Sequence, residues 1–133
     1  MMVVDTSAIV AIFLTEPDAP LYETAIANAE ILTMSASSYV ELSLVLRGRR
    51  TGGSDAQIDA FLTEMNIGIA AFTADQARIA RDAHARFGKG SGHPAQLNFG
   101  DCFSYALAQA LDAPLLFKGA DFSHTDIRPA LKP

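Results

Sequence analysis

The chain has 133 residues, half of them hydrophobic and 19% charged, with a formal net charge of -5. These proportions exclude a disordered chain and describe one globular domain, residues 1–133, with enough apolar surface for a core. The acidic balance argues against a dedicated nucleic-acid binder, and a lone cysteine, Cys102, excludes an intrachain disulfide framework and fits a reducing compartment.

No apolar run reaches the roughly 18–20 residues that a membrane-spanning helix needs. The first residues lack the basic stretch of a secretory signal and are better used as a strand and a helix. The expectation is a soluble cytoplasmic protein, with no membrane partner.

Val3-Val4 forms a short apolar strand that Asp5 follows, and Thr6 and Ser7 can cap a helix beginning at Ala8. Glu16-Pro17-Asp18-Ala19-Pro20 is a break, after which Leu21 to Glu30 carries apolar residues at helical spacing. Ile31 to Met34 reads as a buried strand, and Ser35 to Ser38 supplies caps for a third helix, Tyr39 to Arg50, ended by Thr51-Gly52-Gly53. Ser54-Asp55 opens a fourth helix, with Ile58, Phe61, Leu62 and Met65 on one face. Asn66 to Phe72 is a candidate strand, and Thr73 to Gln76 has the capping pattern of a fifth helix running to about Phe87.

Gly88 to Pro94 is the one long loop, whose glycines let it move or approach a ligand closely. A sixth helix runs from Cys102 to Leu111, and Pro114 to Phe117 is a strand. Lys118 to Phe122 is a turn, and Thr125-Asp126-Ile127 a last short strand. Strands alternating with helices predict an α/β fold with a mainly parallel central sheet flanked by helices on both faces.

Four acids stand out. Asp5 and Asp121 follow strands, where open α/β sheets bind ligands. Glu41 sits within an apolar helix whose Tyr39, Val40, Leu42, Leu44, Val45 and Leu46 leave only a narrow polar face, and Asp101 opens another apolar helix. Singly, each has a plain role as a cap, a turn residue or a solvent-facing acid. Together they resemble the ligand set of a hard divalent cation that keeps several waters. Gly88-Lys89-Gly90-Ser91-Gly92 lacks the spacing of a phosphate-binding P-loop. Arg47, Arg49 and Arg50 form a basic cluster, explained most simply by the dipole of a helix C-terminus.

Val3-Val4-Asp5-Thr6-Ser7-Ala8, Ser38-Tyr39-Val40-Glu41-Leu42, Asn98-Phe99-Gly100-Asp101-Cys102 and Leu115 to Phe122, in that order, resemble the PIN-domain family and its VapC-type toxins of type II toxin–antitoxin pairs. The resemblance spans nearly the whole chain. It implies a single PIN-like nuclease domain and a metal-dependent endoribonuclease with Mg²⁺ or Mn²⁺ as cofactor. RNA is then the substrate, a cognate antitoxin the partner, and a homodimer the usual assembly. Position by position, Asp5, Glu41 and Asp101 match the family's three best-kept acids and Asp121 its more variable fourth. The family usually has Asn where this chain has Ala120, which makes Asp126 a substitute to consider. Thr6 or Ser7 would hold Asp5 or a ligating water.

Arg47, Arg49, Arg50, Lys89 and Lys118 are the candidate RNA contacts by charge and segment. The other readings are a non-catalytic PIN-like module that binds RNA or protein, a DNA-directed flap nuclease, and a thiol enzyme built on Cys102 with His93 or His124 as base.

Overall fold

The computed structural model describes residues 1–49 and 52–131, so Arg50 and Thr51 lie outside the described residues. In chain order the elements are β1 (Met2–Val4), α1 (Thr6–Phe13), α2 (Ala19–Ala27), β2 (Leu32–Ser35), α3 (Ala36–Arg47), α4 (Asp55–Glu64), β3 (Ile67–Ala70), α5 (Ala74–Phe87), α6 (Asp101–Leu111) and β4 (Leu115–Leu116). The four strands form one parallel sheet in the order β3-β2-β1-β4.

Side-chain alternation along the strands divides the core. Met2 and Val4 join Leu32, Met34 and Leu116 against α1 to α4 on one face. Val3 and Leu115 join Ala83, Phe87, Tyr105 and Leu107 of α5 and α6 on the other. A sheet covered on both faces explains why its central strands read as unbroken apolar runs. The fold is therefore a single α/β domain with helices on both faces, as expected from the sequence. Among the described residues no helix is long and apolar enough to cross a membrane.

Helix starts follow the caps. Ser35 and Thr73 accept the backbone N–H groups of Ser37 and Gln76, and Ser54 and Gln57 form a full capping box at α4. The Gln76 side chain does not complete a box at α5; it donates to the Ala71 carbonyl at 3.2 Å. Asn66, between α4 and β3, takes φ 58°, a left-handed conformation that Asn tolerates.

Two expectations need correction. Thr125-Asp126-Ile127 is not a strand: a 3₁₀ turn spans Asp121–His124, and the chain meets β4 later, at Pro129. Pro129 has no N–H, so the pairing straddles it. Leu115 N–H donates to the Arg128 carbonyl, and Ala130 N–H to the Leu115 carbonyl. The glycine loop is pinned, because Lys89 and Phe87 bracket the fully buried Leu97 with backbone bonds of 2.8 and 2.9 Å and Ser91 Oγ donates to the Gly88 carbonyl at 2.6 Å. Val40 and Leu44 of α3 face outward at 56% and 59% exposure, in keeping with a helix that is apolar on most sides.

Candidate active site

The acids reach one end of the sheet by different routes. Asp5 leaves β1 at its carboxyl end, and its N–H donates to the Leu116 carbonyl at 2.9 Å. That places the carboxylate, only 5% exposed, at the seam between β1 and β4. Its Oδ2 caps α1, accepting the Ser7 N–H at 3.0 Å and the Ser7 hydroxyl at 2.6 Å. Its Oδ1 accepts the Ser104 hydroxyl at 2.5 Å. The capping role and the site role thus belong to the same side chain. Ser7 Oγ also accepts the Lys118 N–H at 2.9 Å, which ties the chain after β4 to Asp5. Thr6 is buried and donates to the Ser38 carbonyl at 3.3 Å.

Glu41 lies in α3, half-buried, against the start of α6. A Cβ added to Gly100 would overlap its carboxylate, so the missing side chain at that position is what admits it. Burial holds the Glu41 carboxyl above its ordinary range; the nearby Thr6 hydroxyl opposes the rise and the charge of Asp5 adds to it.

Asp101 opens α6 in a reciprocal clasp. Its Oδ2 accepts the Asn98 N–H at 3.0 Å while Asn98 Oδ1 accepts the Asp101 N–H at 2.9 Å. Burial pushes the Asp101 carboxyl up to about 7; the Asn98 bond opposes this, and the charges of Asp5, Asp121 and Glu41 raise it further. Asp121, exposed at the start of the 3₁₀ turn, completes the group.

Like charges have been gathered here without an internal counter-ion: among the described residues none of the four acids joins a side-chain ion pair. An all-carboxylate donor set with unbalanced charge fits a hard divalent cation. Among the described residues no three His, Cys, Asp or Glu side chains close on a single ion by themselves. An ion held here by fewer than three of these side chains would have to keep several waters, as Mg²⁺ does.

A family model described as PIN domain matches residues 2–128. The chain belongs to the PIN-domain family. Ribonuclease VapC28 of Mycobacterium tuberculosis is 50% identical to it over 130 residues, covering 98% of each chain. Among solved structures, VapC20 of M. tuberculosis, described as a sarcin–ricin loop cleaving toxin, has a TM-score of 0.72 at 20% identity, covering 97% of this chain and 100% of that one. A toxin–antitoxin complex from Klebsiella pneumoniae has a TM-score of 0.69 at 15% identity, covering 95% and 93%. At those identities the solved structures speak for the fold alone.

Several residues of this PIN-domain chain serve ends other than those expected. Asp126 accepts the Tyr105 hydroxyl at 2.6 Å and lies 3.9 Å from Arg86, so it does not stand in for Asp121. Burial, with the Asp101 charge behind it, pushes the buried Cys102 thiol up to about 11, which leaves almost no thiolate near neutral pH for the thiol chemistry considered above. His93 Nδ1 accepts the Ala95 N–H at 3.1 Å with its ring against Phe87, an arrangement that shapes the loop. Lys118 Nζ is bound to Glu16 and Asp18 at 2.9 and 3.0 Å, and Arg47 to Asp55 at 3.0 Å, so each would have to exchange a carboxylate partner to meet RNA. Arg49 and Lys89 remain exposed.

Ser38, Ser104, Asn98 and Gly100 were not singled out as site residues by sequence reasoning. A signal existed for the serines: Ser38 precedes Glu41 by three positions and Ser104 follows Asp101 by three, the spacing of one helix face.

Proposed function

We propose that this chain is the toxin of a toxin–antitoxin pair and a Mg²⁺- or Mn²⁺-dependent endoribonuclease. The observation that carries this reading is the gathering of Asp5, Glu41, Asp101 and Asp121, in which the other three charges all act on Asp101 and, among the described residues, no ion pair balances them. The name of the ribonuclease relative supports the ribonuclease assignment, and the toxin and the antitoxin partner are carried over to this chain from the descriptions of its fold neighbours. Pairing of two copies belongs to the same reading, with exposed Val40 and Leu44 as apolar surface for it. A cytoplasmic setting follows from RNA as substrate.

Asp5, Glu41, Asp101 and, more exposed, Asp121 would hold the cation. When bound, it would polarise the scissile phosphate and lower the pKa of a water for attack. The protein's own contribution is position and charge. Asp5 is fixed from both oxygens. Oδ2 of Asp101 accepts the Asn98 N–H, which orients that carboxyl at the start of α6. Attack by water in line with the leaving 3′-oxygen yields a 5′-phosphate and a 3′-hydroxyl, with no protein nucleophile. Exposed Arg49 and Lys89 provide few phosphate contacts, so selectivity rests on RNA shape or loop sequence.

The test is incubation of purified protein with total RNA in Mg²⁺ or Mn²⁺, beside EDTA and an Asp5→Asn variant. Discrete fragments that vanish in both controls support the reading. Cleavage that survives both overturns it.

A further inference from the structure

We propose that Ser104 is the positioning residue that fixes the cation-facing oxygen of Asp5, with its own hydroxyl aimed by Ser38. The proposal rests on the metal-site reading above and adds to it a pair of residues outside the acids.

Proton accounting gives the direction of the chain. A serine hydroxyl has one proton, whereas a carboxylate only accepts. Ser104 Oγ lies 2.5 Å from Asp5 Oδ1 and therefore donates to it. Its proton is then committed, so in the 3.3 Å contact between Ser38 Oγ and Ser104 Oγ it is Ser38 that donates. The order is Ser38 to Ser104 to Asp5, and both serines are fully buried.

Lone-pair accounting identifies the oxygen that matters. A carboxylate offers about four acceptor sites, two on each oxygen. Both on Asp5 Oδ2 are taken, by the Ser7 N–H and the Ser7 hydroxyl. One on Oδ1 is taken by Ser104, leaving Oδ1 as the oxygen with a site for a cation. Ser7 alone grips one oxygen and comes from the adjoining turn. The grip on the ligating oxygen comes from Ser104, 99 residues away in sequence. With both oxygens held, the broad rotation of an Asp carboxylate about χ2 is removed.

The pair also sets register between the helices that carry the other acids. Ser38 is one turn from Glu41 on α3, and Ser104 one turn from Asp101 on α6. Their contact therefore fixes both helices against β1 at the level of the site.

Calorimetric titration with Mn²⁺ tests this without reference to cleavage, on wild type, Asp5→Asn, Ser104→Ala and Ser38→Ala, each checked by circular dichroism to be folded. Losing an outer partner of a ligand typically weakens metal binding by about 10- to 100-fold, and Ser104→Ala is expected in that range. Ser38→Ala leaves the Ser104 proton in place but removes its aim, so binding should weaken measurably and by less than in Ser104→Ala; a folded Ser38→Ala as tight as wild type overturns the aiming role of Ser38. If Ser104→Ala does not fold, Ser104→Cys fills the site with a larger atom and a much weaker donor that cannot reproduce the 2.5 Å contact, and should weaken binding in the same direction. A folded Ser104 variant that binds Mn²⁺ as tightly as wild type overturns the proposal while leaving the acid site intact. Asp5→Asn binding as tightly as wild type overturns the underlying site reading, and the proposal with it.

Discussion

Asp101→Asn should make the metal-free protein more stable relative to wild type as pH rises, although it removes an acid of the site. In the folded protein the Asp101 carboxyl is raised from 3.8 to about 7, chiefly by burial. A raised carboxyl pKa means that the folded state holds the proton more tightly than the unfolded chain does. The stability contributed is full below about 3.8, falls as pH rises, and is lost once pH passes about 7. Between pH 5 and pH 8 the loss has a ceiling of about 3 kcal/mol, at about 1.4 kcal/mol for each tenfold difference in proton affinity between the folded and unfolded chain. The carboxyl is partly open to solvent, and screening there reduces the expected loss to about 1 kcal/mol. Asn preserves the shape and still accepts the Asn98 N–H, so the comparison isolates the charge. Urea unfolding in EDTA at pH 5 and pH 8 should show wild type losing about 1 kcal/mol relative to Asp101→Asn. Parallel profiles for the two proteins would refute the claim that this carboxyl is strained in the folded state.

Gly100→Ala is expected to displace the Glu41 carboxylate, since the backbone there is helical and tolerates Ala while the new Cβ meets Glu41. Overpacking of this kind costs about 1–3 kcal/mol; unfolding should show that loss, cleavage should fall, and adding Glu41→Ala should recover stability without activity. Cys102→Ala should retain cleavage, and the wild-type thiol should react slowly with alkylating reagents at pH 7, because burial holds it near 11; loss of cleavage in the variant would revive the thiol reading. Lys118→Ala should leave cleavage largely intact, because its backbone N–H, which holds Ser7, remains. A large fall in cleavage would show that the side chain does more than bridge Glu16 and Asp18.

What the sequence revealed was what local pattern can carry. The apolar run before Asp5 and the helix after it identify a strand end. Alternation of strands and helices gives the parallel sheet, and with it the end at which acids gather. Glu41 and Asp101 stand out because charged residues interrupt apolar helices. The serine chain was hidden, because Ser38 and Ser104 are 66 residues apart and meet only when α3 and α6 pack. The same holds for Gly100, whose importance is the space it leaves for a side chain from another helix. The segment after Asp121 was misread because Thr125 closes a turn with its own hydroxyl, donating to the Phe122 carbonyl and accepting the Ile127 N–H, so a β-branched residue there does not extend a strand. The basic residues were read by charge alone, and their partners Asp55, Glu16 and Asp18 were not visible from spacing.

The central claim is that the acids direct water at an RNA phosphodiester, and the chemistry of the cut ends tests it most directly. A defined RNA cleaved in Mg²⁺ should carry 5′-phosphate and 3′-hydroxyl ends, and Asp5→Asn should produce none of them. Fragments ending in a 2′,3′-cyclic phosphate would show attack by the RNA's own 2′-hydroxyl and contradict the account.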